Sequence, residues 1–237
     1  MSAAGALLLV PTLLGGESAD QVLPARTLAM ARAIDHWVVE TPKAARAFLK
    51  AIGHPRAIAT LSIRELPADA SATAIAALLA PARQGHAIGL VSDAGAPGVA
   101  DPGAALVAAA HATGIRVIPL VGPSSILLAL MGSGLSGQAF AFHGYLPVRA
   151  ADRAVRLREL EAESRALART QIFIETPFRN AAMVASLVAT LAPRTRLAVA
   201  VDLTLATESV AMRTIAQWRE VDSAAFQRRP AIFLMQA

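Results

Sequence analysis

The sequence contains no cysteine, which excludes a disulfide framework and any thiolate metal site and leaves the cytoplasm as the expected compartment. Aromatic residues make up only 4% of the chain, so a platform that stacks successive nucleic-acid bases is not expected. Lysine is nearly absent and arginine carries most of the positive charge, with a formal net of +5. That balance permits an anionic partner such as RNA without requiring one. No apolar run reaches bilayer-spanning length without a charge, proline or turn, so a soluble protein with no membrane partner is expected. The opening MSAAGALLLVPTLLGG has no Lys or Arg ahead of its apolar run and reads as a buried first strand rather than a signal peptide. Metal-ligand spacing is missing as well. His36, His54, His86, His111 and His143 are scattered, and no metal is expected. No Gly-x-Gly-x-x-Gly opens a helix after the first strand, which argues against a Rossmann dehydrogenase.

The 237 residues are 55% apolar, enough for the cores of one large or two small domains. The most organised stretch runs from Ile88 to Leu128. Ile88 to Val91 is short and apolar throughout, as a strand buried on both faces should be, and it breaks into Ser92-Asp93-Ala94-Gly95-Ala96-Pro97-Gly98. After Asp101-Pro102-Gly103 the residues Ala104 to His111 read as a helix, and a cap at Asp101 belongs to the reading in which this loop is purely structural. Gly114 ends that helix before a second apolar run, Ile115 to Leu120. This is a strand, crossover helix, parallel strand unit. Ligands of parallel sheets collect beyond the carboxyl ends of the strands, where Asp93 to Gly98 and Gly122 to Ser125 are both expected. Gly95, Gly98 and Gly103 permit positive φ and close approach of a ligand to the main chain, and Asp93 offers a carboxylate. The bland alternative is a well-turned loop with no ligand.

Elsewhere, strands are expected at Ala6 to Pro11, His36 to Glu40, Ala57 to Ile63, Phe140 to His143, Thr170 to Glu175, Arg196 to Leu203, Ser209 to Ile215 and Ala231 to Gln236. Helices are expected at Ala25 to Ile34, Pro42 to Ile52, Ala70 to Arg83, Arg149 to Arg169, Pro177 to Leu191 and Ala216 to Val221. Gly132, Gly134 and Gly137 read as a flexible crossover. In the long helix Leu157, Leu160, Ser164 and Leu167 form one stripe and Arg149, Arg153 and Arg156 another. The arginines are either a solvated face with Glu partners or a phosphate-facing patch. Glu175 and Arg179 read as an ion pair bracing a helix start.

The blocks VSDAGAPGVADPG (91 to 103), IRVIPLVGPSS (115 to 125), FAFHGYLP (140 to 147) and IFIETPFRN (172 to 180) resemble, in order, those of the tetrapyrrole methylase superfamily. The branch they resemble most is the bacterial 16S rRNA 2'-O-ribose methyltransferase I. The resemblance implies two α/β domains, residues 1–120 and 121–237, with S-adenosyl-L-methionine in a cleft between them, and a homodimer. It implies cofactor contacts at Pro11, Thr12, Leu13, Ser92, Asp93, Ala94, Gly95, Pro97, Gly98, Val99, Gly122, Ser124 and Ser125. Substrate contacts are implied at Glu40, Arg46, Glu175 and Arg179.

The chain also departs from that branch. The loop Thr12 to Glu17 is not Thr-Pro-Ile-Gly-Asn-Leu, and Thr41-Pro42-Lys43 replaces the Asp-Thr-Arg that follows the glutamate. The histidine- and asparagine-bearing segment after Ile63 is missing, and Thr176 and Phe178 replace Ser and His of the Glu-Ser-Pro-His-Arg block. The chain is further expected to lack the small helical domain that follows in the full-length rRNA enzymes. Methyl transfer from a sulfonium needs orientation and exclusion of water more than side-chain chemistry, and no residue's spacing marks it as a general base. The expected activity is therefore an S-adenosylmethionine-dependent methyltransfer, to an rRNA ribose 2'-hydroxyl or to an undescribed small-molecule or protein acceptor. A non-catalytic cofactor-binding module is the alternative of a different class.

Overall fold

The computed structural model describes residues 5–16 and 18–237. The first four residues of the opening segment, and Glu17 of the loop after the first strand, lie outside the described residues. The chain divides into two compact units, Met1–Ser124 and Ser125–Ala237.

Unit 1 runs β1 (Ala6–Leu9), α1 (Ala19–Val22), α2 (Ala25–Ala31), β2 (His36–Val39), α3 (Pro42–Ala51), β3 (Ser62–Glu65), α4 (Ala72–Arg83), β4 (Ile88–Val91), α5 (Ala104–Ala112) and β5 (Arg116–Pro119). Its sheet has the order β3-β2-β4-β1-β5, and every pairing is parallel. The crossover from β4 to β5 therefore passes over β1, which lies between them. The central strands β1 and β4 are apolar throughout because both faces are covered, whereas the edge strands β3 and β5 carry exposed polar and charged residues. Ala6, Leu8, Trp37 and Val39 meet Leu28, Phe48 and Leu49 of α2 and α3 on one face. Leu7, Val38, Ile88 and Leu90 meet Leu78, Leu79, Leu106 and Ala110 of α4 and α5 on the other. Gly89 is fixed by contact, since a Cβ there would lie 2.5 Å from the Trp37 ring.

Unit 2 runs α6 (Ser125–Ser133), β6 (Phe140–Tyr145), α7 (Ala150–Leu167), β7 (Thr170–Ile174), α8 (Asn180–Thr190), β8 (Arg196–Val201), β9 (Ser209–Thr214), α9 (Ile215–Trp218) and β10 (Ala231–Gln236). Its sheet order is β6-β7-β10-β8-β9; β6 and β7 are parallel, and β10 runs antiparallel to both β7 and β8. Phe173, Leu197, Val199, Phe233 and Met235 pack with Leu157, Leu160, Met183, Val184 and Leu187 of α7 and α8. Helix α6 covers the other sheet face, burying Ile126, Ala129 and Leu130.

Three expected elements differ. The run Ala57 to Ile63 begins with a 3-10 turn at Ile58–Thr60, so the strand is displaced to Ser62–Glu65. The segment from Pro177 also opens as a 3-10 turn, and its α-helix begins at Asn180. Gly132 lies not in a crossover but inside α6, where a Cβ would meet Val210 at 3.3 Å. The stripe on α7 holds for Leu157, Leu160 and Ser164, while Leu167 is exposed.

Candidate functional site

The parallel order of unit 1 brings the loops after β1, β2, β4 and β5 to one sheet edge. Backbone hydrogen bonds tie them together: Thr12 N–H donates to Gly95 O at 2.8 Å, Glu40 N–H to Val91 O at 3.2 Å, and Leu120 N–H to Leu9 O at 2.9 Å. Thr12 is buried, and its hydroxyl donates to Ser92 O at 3.2 Å. Ser92 is buried too, with its hydroxyl on Ala94 O at 3.2 Å. The loop from Ser92 to Gly103 is a chain of left-handed residues, Gly95 (φ 70°), Gly98 (φ 80°), Ala100 (φ 65°) and Gly103 (φ 142°). Gly98 faces open space, whereas a Cβ on Gly95 would touch Leu14 at 3.2 Å. The cap of α5 is Gly103 rather than Asp101, and no side chain caps it.

Three carboxyl groups gather at this edge without a cation among the described residues. Glu40 Oε2 accepts the Asp93 N–H at 3.0 Å. Asp93 Oδ1 accepts from Thr41 twice, from its N–H at 3.2 Å and its hydroxyl at 2.9 Å. Thr41 is also the N-cap of α3, accepting from Ala44 N–H at 3.4 Å. One threonine thus joins the Asp93 loop to the start of a helix. Burial, and then the charges of Glu40 and Asp93, push the Asp101 carboxyl up to about 6, against the lowering effect of the nearby Ser92 hydroxyl. Sequence reasoning gave Asp101 only a capping role; its place in this acidic group depends on β2 and β4 being neighbours.

Between the loop after β1 and α3 lies a cavity of about 330 Å³, lined by Thr12, Leu13, Gly15, Gly16, Asp93 and a stripe of α3, Ala44, Ala47, Phe48 and Ala51. Of the expected cofactor contacts, Thr12, Leu13 and Asp93 line it. Ala94, Pro97 and Val99 belong to the loop after β4, with Pro97 buried and Val99 47% exposed. Pro11 is buried against Gly122, where a Cβ would lie 2.4 Å from Pro11 Cβ; that glycine is required by packing. Ser124 ends unit 1, and Ser125 is the first residue of α6 in unit 2. Of the expected substrate contacts, Glu40 is at the acidic edge and Arg46 is exposed on α3.

Glu175 and Arg179 lie in unit 2, beyond β7. Glu175 Oε1 accepts from Arg179 Nη2 at 2.6 Å and from Thr176 N–H at 2.7 Å, the helix-bracing pair that the residues allowed. Glu175 Oε2 is buried without a hydrogen-bond partner. The arginines of α7 do not form a phosphate-facing patch. Arg153 is buried and donates to Ser186 Oγ at 2.8 Å and Val148 O at 2.9 Å, while Arg156 pairs with Glu159 and Arg149 with Asp152. Among the described residues no group of three or more His, Cys, Asp or Glu is placed to hold a metal ion, and no helix is long and apolar enough to cross a membrane.

The family model of the tetrapyrrole (corrin/porphyrin) methylases matches residues 17–218. A ribosomal RNA small subunit methyltransferase I of Mesorhizobium japonicum is 41% identical over 138 residues, 58% of this chain and 46% of that protein. One of the same name from Neisseria meningitidis is 32% identical over 213 residues, 90% of this chain and 69% of that protein. The chain spans about half the length of the first of these curated relatives. The crystal structure of the methyltransferase CobJ superposes with a TM-score of 0.64 at 19% identity, over 98% of this chain and 95% of that one. That likeness bears on the fold.

Proposed function

From the premise that this chain belongs to the tetrapyrrole methylase family, in the branch of the small-subunit rRNA methyltransferases I, we propose that it is an S-adenosyl-L-methionine-dependent methyltransferase acting on a ribose 2'-hydroxyl of 16S rRNA. One observation carries the assignment of the donor site: carboxyls with no cationic partner stand at the carboxyl edge of a parallel sheet, beside glycine-opened backbone and a cavity. S-adenosyl-L-methionine bears a sulfonium and an ammonium against one carboxylate, a net positive charge, so an unneutralised acidic edge suits it. When bound it supplies an electrophilic methyl group.

The chain's own residues fit that group. Asp93 has one oxygen held by Thr41 and presents negative charge at the cavity wall. The hydrogen bonds of Thr12 to Ser92 and Gly95 fix the loop before any ligand arrives, which lowers the cost of ordering it on binding. Gly98 leaves room for close approach. Leu13, Ala44, Ala47 and Phe48 supply apolar walls that exclude water.

A homodimer belongs to the same reading, supported by apolar side chains left exposed on unit 2, Leu127 at 52% and Met131 at 80%; sedimentation as a monomer at micromolar concentration contradicts it. A cytoplasmic location follows from the substrate. To test the activity, the full chain is incubated with methyl-labelled S-adenosyl-L-methionine and undermethylated 16S rRNA, alone and in small subunits. Label in a ribose is the expected result; label in neither preparation overturns the RNA acceptor.

A further inference from the structure

The two lysines of the chain, Lys43 and Lys50, both lie on α3, and Arg46 lies between them. Positions 43, 46 and 50 follow the spacing that puts side chains on one helix face. All three are exposed, and none has an ion pair or side-chain hydrogen bond among the described residues. The stripe that lines the cavity, Ala44, Ala47, Phe48 and Ala51, is the adjoining face of the same helix. Cations here do not serve a cofactor of net positive charge. They sit next to the cavity, yet the acidic edge contributes no carboxylate to pair with them.

We propose that the Lys43, Arg46 and Lys50 face of α3 is the track on which the phosphates of an RNA acceptor lie, flanking the methyl-transfer site. The proposal rests on the RNA-methyltransferase reading and adds where the strand runs. From Lys43 to Lys50 the helix rises about 10 Å, the length over which a stacked strand presents roughly three phosphates. Thr41 makes the placement consequential, because it caps α3 and holds Asp93 through the same hydroxyl. A strand seated on α3 is therefore registered against the loop proposed to hold the donor. Helix α7 also carries exposed arginines without an ion pair among the described residues, Arg158 and Arg165, but it belongs to unit 2 and none of its residues lines the cavity.

The test uses the full chain and a labelled 20-nucleotide single-stranded RNA of mixed sequence, followed by fluorescence anisotropy over a range of salt concentrations. The triple variant Lys43→Gln, Arg46→Gln, Lys50→Gln keeps good helix formers. A control triple, Arg26→Gln, Arg83→Gln, Arg219→Gln, removes the same charge from scattered exposed sites. The α3 variant is expected to bind at least about tenfold more weakly at low salt and to lose about 2 from the slope of log affinity against log salt. The control is expected to lose much less, and calorimetric binding of S-adenosylhomocysteine should be unchanged in both. Equal losses in both triples, or no loss in the α3 variant, overturn the track while leaving the methyltransferase reading intact. Binding of S-adenosylhomocysteine but not RNA by the wild type overturns the RNA acceptor and the track with it. Binding of neither overturns the reading of the whole site.

Discussion

At the carboxyl ends of β7 and β8, Glu175 and Asp202 each meet an arginine, Arg179 at 2.6 Å and Arg229 at 2.8 Å. At the carboxyl ends of β2 and β4, Glu40 and Asp93 meet backbone and hydroxyl donors, and Asp101 meets a serine, with no cation among the described residues. Both edges are built from the same residue types. In unit 2 the two edge carboxylates are each matched by an arginine within the fold; in unit 1 the acidic edge has no such match among the described residues. Unpaired charge is costly where it is partly buried, as it is at Glu40 and Asp101, and its retention there is an argument for a ligand. The difference separates residues that hold the fold from residues proposed to hold a ligand.

Breaking a matched group should cost stability and spare binding. Arg153→Ala is the largest case, since it removes a buried side chain together with its hydrogen bonds to Val148 O and Ser186 Oγ. A loss of about 3 kcal/mol is expected in denaturant melts, with S-adenosylhomocysteine affinity unchanged. Gly122→Ala comes next, because its Cβ must displace Pro11 from 2.4 Å. About 2 kcal/mol is expected, and here binding should weaken as well, because Pro11 leads directly into the Thr12 loop. Thr41→Ala is smaller, about 1 kcal/mol for the lost cap, but it also frees Asp93 Oδ1 and should weaken both ligands in titrations.

The smallest effect concerns pH. Burial pushes the Asp101 carboxyl up from its ordinary 3.8 to about 6, so the folded state holds this proton more tightly than the unfolded chain does. Its contribution favours folding at pH values below 3.8 and is lost as pH rises through 6. Melting temperatures from pH 4 to 7 should therefore fall slightly more in the wild type than in Asp101→Asn. The partial exposure of this carboxyl keeps the difference modest. A wild type and variant with parallel profiles would place Asp101 outside the acidic group.

The sequence made the central strands legible because strands covered on both faces are continuous apolar runs; Ile88–Val91 of the parallel sheet and Ala231–Gln236 of the mixed sheet are found with the expected bounds. It also made the loop after β4 legible, through glycines whose positive φ the fold uses at Gly95, Gly98 and Gly103. What it concealed were pairings. Arginine is a surface residue by default, and nothing near Arg153 in sequence announces Ser186, thirty-three positions away. Gly132 looked like a breaker, although a helix tolerates glycine where a neighbour such as Val210 comes close. The acidic group was hidden for the same reason: Glu40, Asp93 and Asp101 become neighbours only once β2 is laid beside β4.

The central claim is that the unmatched edge of unit 1 holds a cationic methyl donor, and calorimetric titration with S-adenosyl-L-methionine itself, which carries the net positive charge that S-adenosylhomocysteine lacks, tests it most directly. The wild type should bind with a measurable enthalpy, and Asp93→Asn, which removes one charge and preserves shape, should bind at least about tenfold more weakly. No binding by the wild type, or equal binding by the variant with its fold intact, would contradict the account.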